Sequence, residues 1–363
     1  MGRLVKVLFG SKEDDLDREA VRKSRSKRIL YILVVAALMF ALAAYSITIS
    51  STNITPMQVY ETLLNQLIPG LFDIPSKTQQ IVMKVYAPRV LMAVFVGGIL
   101  ALGGCIVQTI LKNPLATPYT LGVSSSAAFG AGLSIILGIS AVVGVYGTMI
   151  NAFLFSLIPA AIILLASARR SMMATTLILV GISISYMFSA ANTIMQYFGS
   201  ADAVKQAMFW AVGDLNNATL SQVPYVAVTL IFTLVMSLWL MKDIDIMRMG
   251  DDTATALGVN VKRTRTSAII LACFSTAIAV SFVGAIGFIC LLAPQISKIF
   301  VGGNLRYLIP ASMFTGSLLL VIADIIAKDL INPVILPVGA ITALIGAPVL
   351  IYLLLRNKNM VVS

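Results

Sequence analysis

The chain has 363 residues, 59% hydrophobic and only 11% charged, with a mean hydropathy of +0.95 and a formal net charge of +11. Soluble domains carry roughly 25% charged residues and 45–50% apolar ones, so water cannot be the solvent for most of this surface. There is no histidine, which excludes Ser-His-Asp and Cys-His catalysis and any histidine metal site, and no G-x-x-x-x-G-K-S/T phosphate loop, so no catalytic or metal-binding residue is expected.

Taken in chain order, residues 1–28 are polar and carry nine of the Lys/Arg residues. The apolar stretch that follows from Ile29 is too long for a secretory signal and lacks a small-residue cleavage site. These features predict a retained cytoplasmic tail, 1–28, whose charges fix topology and do not bind nucleic acid. A helix needs about 20 apolar residues to cross hydrocarbon. Such stretches recur at about 29–50, 88–110, 120–138, 142–167, 173–197, 219–241, 265–283, 286–301, 307–327 and 336–355. They predict an all-α polytopic membrane protein with about ten transmembrane helices over 29–356, embedded in the lipid bilayer, and a short cytoplasmic tail, 357–363.

Several features lie inside these spans. Gly122, Ser126, Gly130, Ser134 and Gly138 recur every four residues, one face on which a neighbouring backbone can approach closely. Cys105, Cys273 and Cys290 are scattered singly and read as small hydrophobes. The span centres are almost free of charge, with Asp324 and Lys328 near the end of the ninth. The polarity is instead hydroxyl and amide, at Gln108, Ser124, Ser125, Ser126, Ser183, Ser185, Asn192 and Gln196. An ion-coupled carrier normally places carboxylates at mid-membrane, so that alternative is disfavoured, and uphill transport would need a partner's energy.

Lys and Arg set the orientation. With ten spans and a cytoplasmic N-terminus, 21 of the 26 cations fall inside, among them Lys112, Arg169, Arg170, Lys242, Arg248, Lys262, Arg263, Arg265, Lys298, Arg306, Arg356 and Lys358. Lys77, Lys84, Arg89, Lys205 and Lys328 fall outside. The positive-inside rule therefore predicts both termini in the cytoplasm. The longest polar interval after residue 85 is the cytoplasmic loop 242–264, where Asp251 and Asp252 start a short helical run that Gly258 stops. Such a helix is either a docking element for a soluble partner or an ordinary loop.

That loop reads Met249-Gly250-Asp251-Asp252-Thr253-Ala254-Thr255-Ala256-Leu257-Gly258-Val259 and resembles the coupling loop of the FecCD family of ATP-binding-cassette (ABC) importer permeases, in which an LGxxxAxxLGV pattern is typical. Further family-like segments follow in order: Ala87-Pro88-Arg89, Asn113-Pro114-Leu115-Ala116 with Leu121-Gly122-Val123-Ser124, Phe209-Trp210-Ala211-Val212-Gly213, Gly287-Phe288 with Ala293-Pro294-Gln295-Ile296, and Leu336-Pro337-Val338-Gly339 with Thr342-Ala343-Leu344-Ile345-Gly346-Ala347-Pro348. Two departures stand out: Gln295 occupies a position where the family usually has histidine, and Tyr86 one where it has the first Arg of R-x-P-R.

The resemblance implies a type II ABC importer permease fold and a transmembrane subunit that is not itself an enzyme. It further implies a homodimer with a second copy of the chain, two ABC ATPase subunits that bind ATP and Mg, and an extracytoplasmic substrate-binding protein; no cofactor is implied in this chain. Gly250, Asp251, Ala254, Leu257 and Gly258 would couple to the ATPase, with Ala254 admitting its surface. Lys84, Arg89 and Lys328 would meet the binding protein at the outer mouth. The pathway would be lined by the fifth and tenth spans, with a gate at Asn192, Gln196, Gly199 and Ser200 where a short outer helix begins. Iron(III) chelate, a siderophore, is the implied cargo, with cobalamin or another corrinoid, haem and molybdate as alternatives, at a cell (inner or plasma) membrane. In a background lacking the three cysteines, single cysteines at Lys77 and Lys262 should differ in labelling by an impermeant thiol reagent. Equal external labelling would refute the ten-span orientation.

Overall fold

The computed structural model describes residues 2–49, 54–68, 70–144, 146–169, 174–331 and 334–356; Arg170, Lys358 and the tail 357–363, used above for orientation, lie outside them. The described residues form helices and no strand. In order these are α1 (Gly2–Thr48), α2 (Pro56–Leu67), α3 (Ser76–Ile81), α4 (Ala87–Ile110), α5 (Val123–Leu137), α6 (Gly147–Arg169), α7 (Ala174–Phe198), α8 (Ala201–Val212), α9 (Val223–Met247), α10 (Asp251–Ala256), α11 (Val261–Val283), α12 (Ile289–Val301), α13 (Leu305–Asp329) and α14 (Val338–Arg356). A π-turn, Val82–Tyr86, joins α3 to α4.

Each expected span coincides with one of these helices. Among the described residues seven are long and apolar enough to cross a membrane, while Val123–Leu137, Ile289–Val301 and Val338–Leu353 are shorter. At 1.5 Å per residue α12 spans only about 20 Å. The chain around it is irregular, and non-helical backbone at membrane depth is tolerated only where protein covers it. Ile286 on the approach to α12, and Ala116, Thr117 and Leu121 before α5, are accordingly buried.

Helix α1 begins at Gly2 and not at residue 29, because the polar stretch before Ile29 contains no proline and is rich in helix-favouring Lys, Arg, Glu and Leu. Four helices, α2, α3, α8 and α10, fall where no span is predicted. Pro56–Leu67 starts at a capping box: Gln58 N–H donates to Thr55 Oγ1 at 3.4 Å, and Thr55 N–H to Gln58 Oε1 at 3.0 Å.

Helix α4 is the axis of the molecule. Its first half, Met92 to Leu100, packs with Leu320, Val321 and Ala327 of α13; its second half, Leu102 to Ile110, packs with Ala268, Ala272 and Ala277 of α11. Glycine makes this possible. A Cβ built on Gly97 would lie 2.5 Å from the Gly316 carbonyl oxygen of α13, and one on Gly104 would overlap the Cys290 carbonyl of α12. Contact this close between backbones is how membrane helices associate, since lipid supplies no hydrophobic drive.

Gly130 and Ser134 of the small-residue stripe in α5 meet α6 closely, as the spacing predicts, whereas Gly138 faces open space. A Cβ on Gly130 would stand 2.5 Å from the Asn151 carbonyl of α6, and Ser134 Oγ lies 2.9 Å from Thr148 Oγ1. Phe129, Phe155 and Phe188 then join α5, α6 and α7 through tilted and edge-on ring contacts. Gly104→Leu is expected to abolish the monodisperse folded protein in detergent gel filtration. Gly138→Asn, at φ +68 with open space around it and in a conformation asparagine tolerates, should leave the profile unchanged.

Candidate functional site

Three places on this scaffold concentrate polar chemistry. The first is the α9–α11 connection. Gly250, at φ +125, lets the chain leave α9, and α10 follows with Asp251 and Asp252 in its first turn. Val259 N–H donates to Ala254 O at 2.9 Å and Gly258 N–H to Thr255 O at 3.0 Å, with Gly258 at φ +87. That pair of bonds is a Schellman stop, which needs the left-handed residue that glycine supplies. Asn260 restarts the chain, accepting from Arg263 N–H at 3.0 Å to cap α11.

One turn and a half of helix does not hold itself together in water, and tertiary contacts hold this one. Asp251 Oδ2 is 2.6 Å from Arg265 Nη2 of α11, and Asp251 Oδ1 is 3.8 Å from Lys112 Nζ just past α4. The Ala254 methyl is fully buried in the same core as Met247 and Ala268. The expectation that Ala254 admits a partner's surface is therefore corrected: its smallness seats α10 on its own bundle. Leu257 and Met249, 62% and 74% exposed, are the apolar side chains that point away.

The second place is the opposite end of α4. Arg89 Nε lies 2.5 Å from Asp324 Oδ1, and Lys328 Nζ 2.7 Å from Asp324 Oδ2. Ser46 of α1 donates to Asp324 Oδ2 at 3.2 Å, and Lys328 Nζ donates to Ser46 O at 3.2 Å. Arg89 Nη1 also donates to Asn216 Oδ1, whose amide nitrogen donates to Asp214 Oδ2 at 2.7 Å. Arg89 and Lys328 are only 2% and 4% exposed. Their expected place on the outer rim is corrected, because a cation enclosed beside its carboxylate cannot be offered to a docking protein. Of the three cations expected there, Lys84 alone is exposed, at a cleft of about 580 Å³ it shares with Gln66, Gln79, Gln80 and Thr219.

The third place is the end of α7. Asn192 is half-buried, and its Oδ1 is buried without a hydrogen-bond partner. Gln196, also half-buried, gives its carbonyl to Gly199 N–H at 3.2 Å. Ser200 then caps α8, its Oγ accepting from Ala203 N–H at 3.4 Å. Tyr186, Ile194, Tyr197 and Phe198 leave this helix with a broad exposed face, and Leu344, Ile351 and Tyr352 do the same for α14.

The span hydroxyls bond to their own helices. Buried Ser126, half-buried Ser185 and exposed Ser183 donate to the carbonyls of Gly122, Gly181 and Leu179, each four residues back, the back-bonding habit of helical hydroxyls. Gln108 braces α12 by donating to Cys290 O and Leu291 O, each at 3.3 Å. Missed in the sequence altogether were Asn216 as an Arg89 partner and a basic cavity beside Gln295. The first sits in a turn 127 residues from its partner, and no local pattern announces it.

Comparison with known proteins covers nearly the whole chain. The FecCD transport family matches residues 37–356. The Fe(3+) dicitrate transport system permease of Escherichia coli is 36% identical over 278 residues, 77% of this chain and 86% of its own length. The cobalamin import system permease of Halobacterium salinarum is 34% identical over 287 residues, 79% and 76% of the two chains. A solved ABC transporter described as of metal-chelate type, in an inward-facing conformation, superposes with a TM-score of 0.78 at 28% identity, covering 90% of this chain and 99% of its own.

Asp324→Asn keeps the shape but leaves two buried cations facing each other. Breaking a buried ion pair costs about 3–5 kcal/mol, so the variant should lose much of its thermal stability in detergent or fail to accumulate. An unfolding temperature equal to the parent's would show that the cluster bears no such load.

Proposed function

This chain belongs to the FecCD transport family, and on that premise we propose that it is the transmembrane subunit of an ABC importer that passes an iron(III) chelate across a cell membrane. ATP and Mg would be handled by two separate ATPase subunits, and an extracytoplasmic binding protein would deliver the cargo to a homodimer of this chain. Both termini and α10 would then lie in the cytoplasm. Lys84 and the amide-lined cleft beside it would face the binding protein, and the exposed faces of α7 and α14 would line the pathway or meet the second copy. Asn192, Gln196, Gly199 and Ser200 would form its outer gate.

The observation that carries this reading is α10. It is a helix too short to stand alone, fixed to α11 and the end of α4 through one carboxylate, with Leu257 and Met249 projecting. A rigidly mounted apolar pair on an otherwise polar loop fits docking of a soluble subunit. Against an ion-coupled carrier stands Asp324, a span carboxylate already committed to two cations and so unsuited to relaying protons.

Cargo chemistry is the finer part of the proposal. Relatives named for ferric dicitrate and for cobalamin match this chain at 36% and 34% identity, so cobalamin or another corrinoid is the second reading, with haem and molybdate behind it.

Leu257→Asp combined with Met249→Asp should leave the chain folded, since both side chains are exposed. Co-purification with the ATPase subunits and uptake of a radiolabelled ferric chelate should both fall at least about tenfold. Retained assembly and uptake would remove α10 from the coupling role. Uptake of labelled cobalamin and not of the chelate by the unmodified transporter would select the second reading.

A further inference from the structure

At the α10 end of the bundle, a cavity of about 220 Å³ opens between the ends of α4, α9 and α12. Lys112, Arg248 and Lys298 line it together with the amides of Gln108, Asn113 and Gln295. Two carboxylates stand nearby: Asp245, 3.3 Å from Arg248 Nη1, and Asp251, which is shared between Lys112 and Arg265. Four cations against two carboxylates leave the neighbourhood an unbalanced positive charge, the condition under which an anion binds.

Gln295 supplies a second, independent feature. It is 4% exposed and its Oε1 accepts no hydrogen bond. Its orientation is not arbitrary. Gln108 Nε2 faces the carbonyl oxygens of Cys290 and Leu291, which accept only, so Gln108 Oε1 must point the other way. Gln295 Nε2 donates to that oxygen at 2.7 Å and lies 3.4 Å from Pro114 O. The chain of donors therefore leaves a buried acceptor without a partner, Gln295 Oε1, on a residue that lines the basic cavity.

Lys112 is held there against backbone preference. Asn113 N–H donates to Gln108 O at 3.1 Å and Lys112 N–H to Thr109 O at 3.3 Å. This is the same Schellman stop as after α10, but with lysine at φ +49 where glycine is usual. A non-glycine residue in that conformation points to a requirement for its side chain.

We propose that this cavity is a binding site for a tetrahedral oxyanion that still carries a proton, hydrogen phosphate or the singly protonated headgroup of a phosphate monoester. The oxyanion oxygens meet Lys112, Arg248 and Lys298, and the P–OH donates to Gln295 Oε1. Sulfate has the same size and geometry but no proton at neutral pH, so it leaves that acceptor unpaired, and buried polar groups left unpaired are what make a site reject an analogue. Lys112 contacts Asp251 of α10 across 3.8 Å, so a bound anion competes with that carboxylate for the same cation. The assignment stands on the cavity alone and does not depend on the transport reading.

The test uses the full-length chain in phosphatidylcholine nanodiscs, with binding of inorganic phosphate followed by phosphorus-31 line broadening and by the unfolding temperature. Phosphate is expected to bind about tenfold or more tightly than sulfate at matched ionic strength. Lys112→Gly should abolish phosphate binding while holding or raising thermal stability, because glycine relieves the left-handed strain. Gln295→Leu should remove the preference for phosphate over sulfate while residual anion binding persists. If phosphate binding is lost on adding phosphatidic acid to the discs, the ligand is a lipid headgroup; if unchanged, it is the soluble ion. Equal binding of phosphate and sulfate by the parent chain, or undiminished phosphate binding in Lys112→Gly, would overturn the proposal.

Discussion

The rest of the structure depends on the close approach of helix α4 to its neighbours. In hydrocarbon there is no solvent-driven reason for helices to associate, so contact must come from packing and from satisfied polar groups. Glycines at 97 and 104 bring α4 against the backbones of α13 and α12, where any side chain would collide with a carbonyl. Once α4 is enclosed on all sides, short or irregular segments can pass beside it at membrane depth, because protein and not lipid covers their backbone. The shortness of α12 and the unwound chain before α5 follow from that enclosure.

Polar side chains then occupy the two ends of the same helix. At one end Arg89 carries a charge into the bundle, and Asp324, Lys328, Ser46 and Asn216 gather around it from α1, α13 and the turn after α8. A buried ionic group of this kind fixes geometry more than it adds stability, and here it sets the register of α1, α4 and α13 at one end of the bundle. At the other end Gln108 ties α4 to α12 through two carbonyls, and Lys112 reaches toward α10.

How much of this was legible in the sequence follows from the range of the forces involved. Span positions were readable because each depends on the hydropathy of one contiguous stretch, and the α5 stripe because a four-residue repeat is local. The helical continuation of α1 below residue 29 was readable from composition but was masked by its polarity. Arg89 and Lys328 were misplaced for a different reason. A cation near a span end looks the same in sequence whether it snorkels to the interface or is met by a carboxylate, and the partner of Arg89 is 235 residues away. Ala254 was misread likewise, since a small residue admits either a partner or its own core, and only burial decides between them.

The arrangement around Asp251 carries the remaining step. One carboxylate contacts Arg265 at the start of α11 and Lys112 at the end of α4, while the Ala254 methyl is locked into the core beneath. Pushed from outside on Leu257, α10 has no soft joint within itself. Its Schellman stop and the Asn260 cap fix its exit, and Gly250 is a turn whose conformation only glycine adopts readily. Displacement of α10 is therefore passed to α11 through the Asp251–Arg265 pair and to α4 through the core beneath Ala254, with Lys112 adding an exposed contact. Since α4 is also clamped at its far end to α13 and α1 through Asp324, a load applied at one surface reaches the other through a single helix. In the proposed importer that helix would be the lever between the ATPase subunit and the outer mouth.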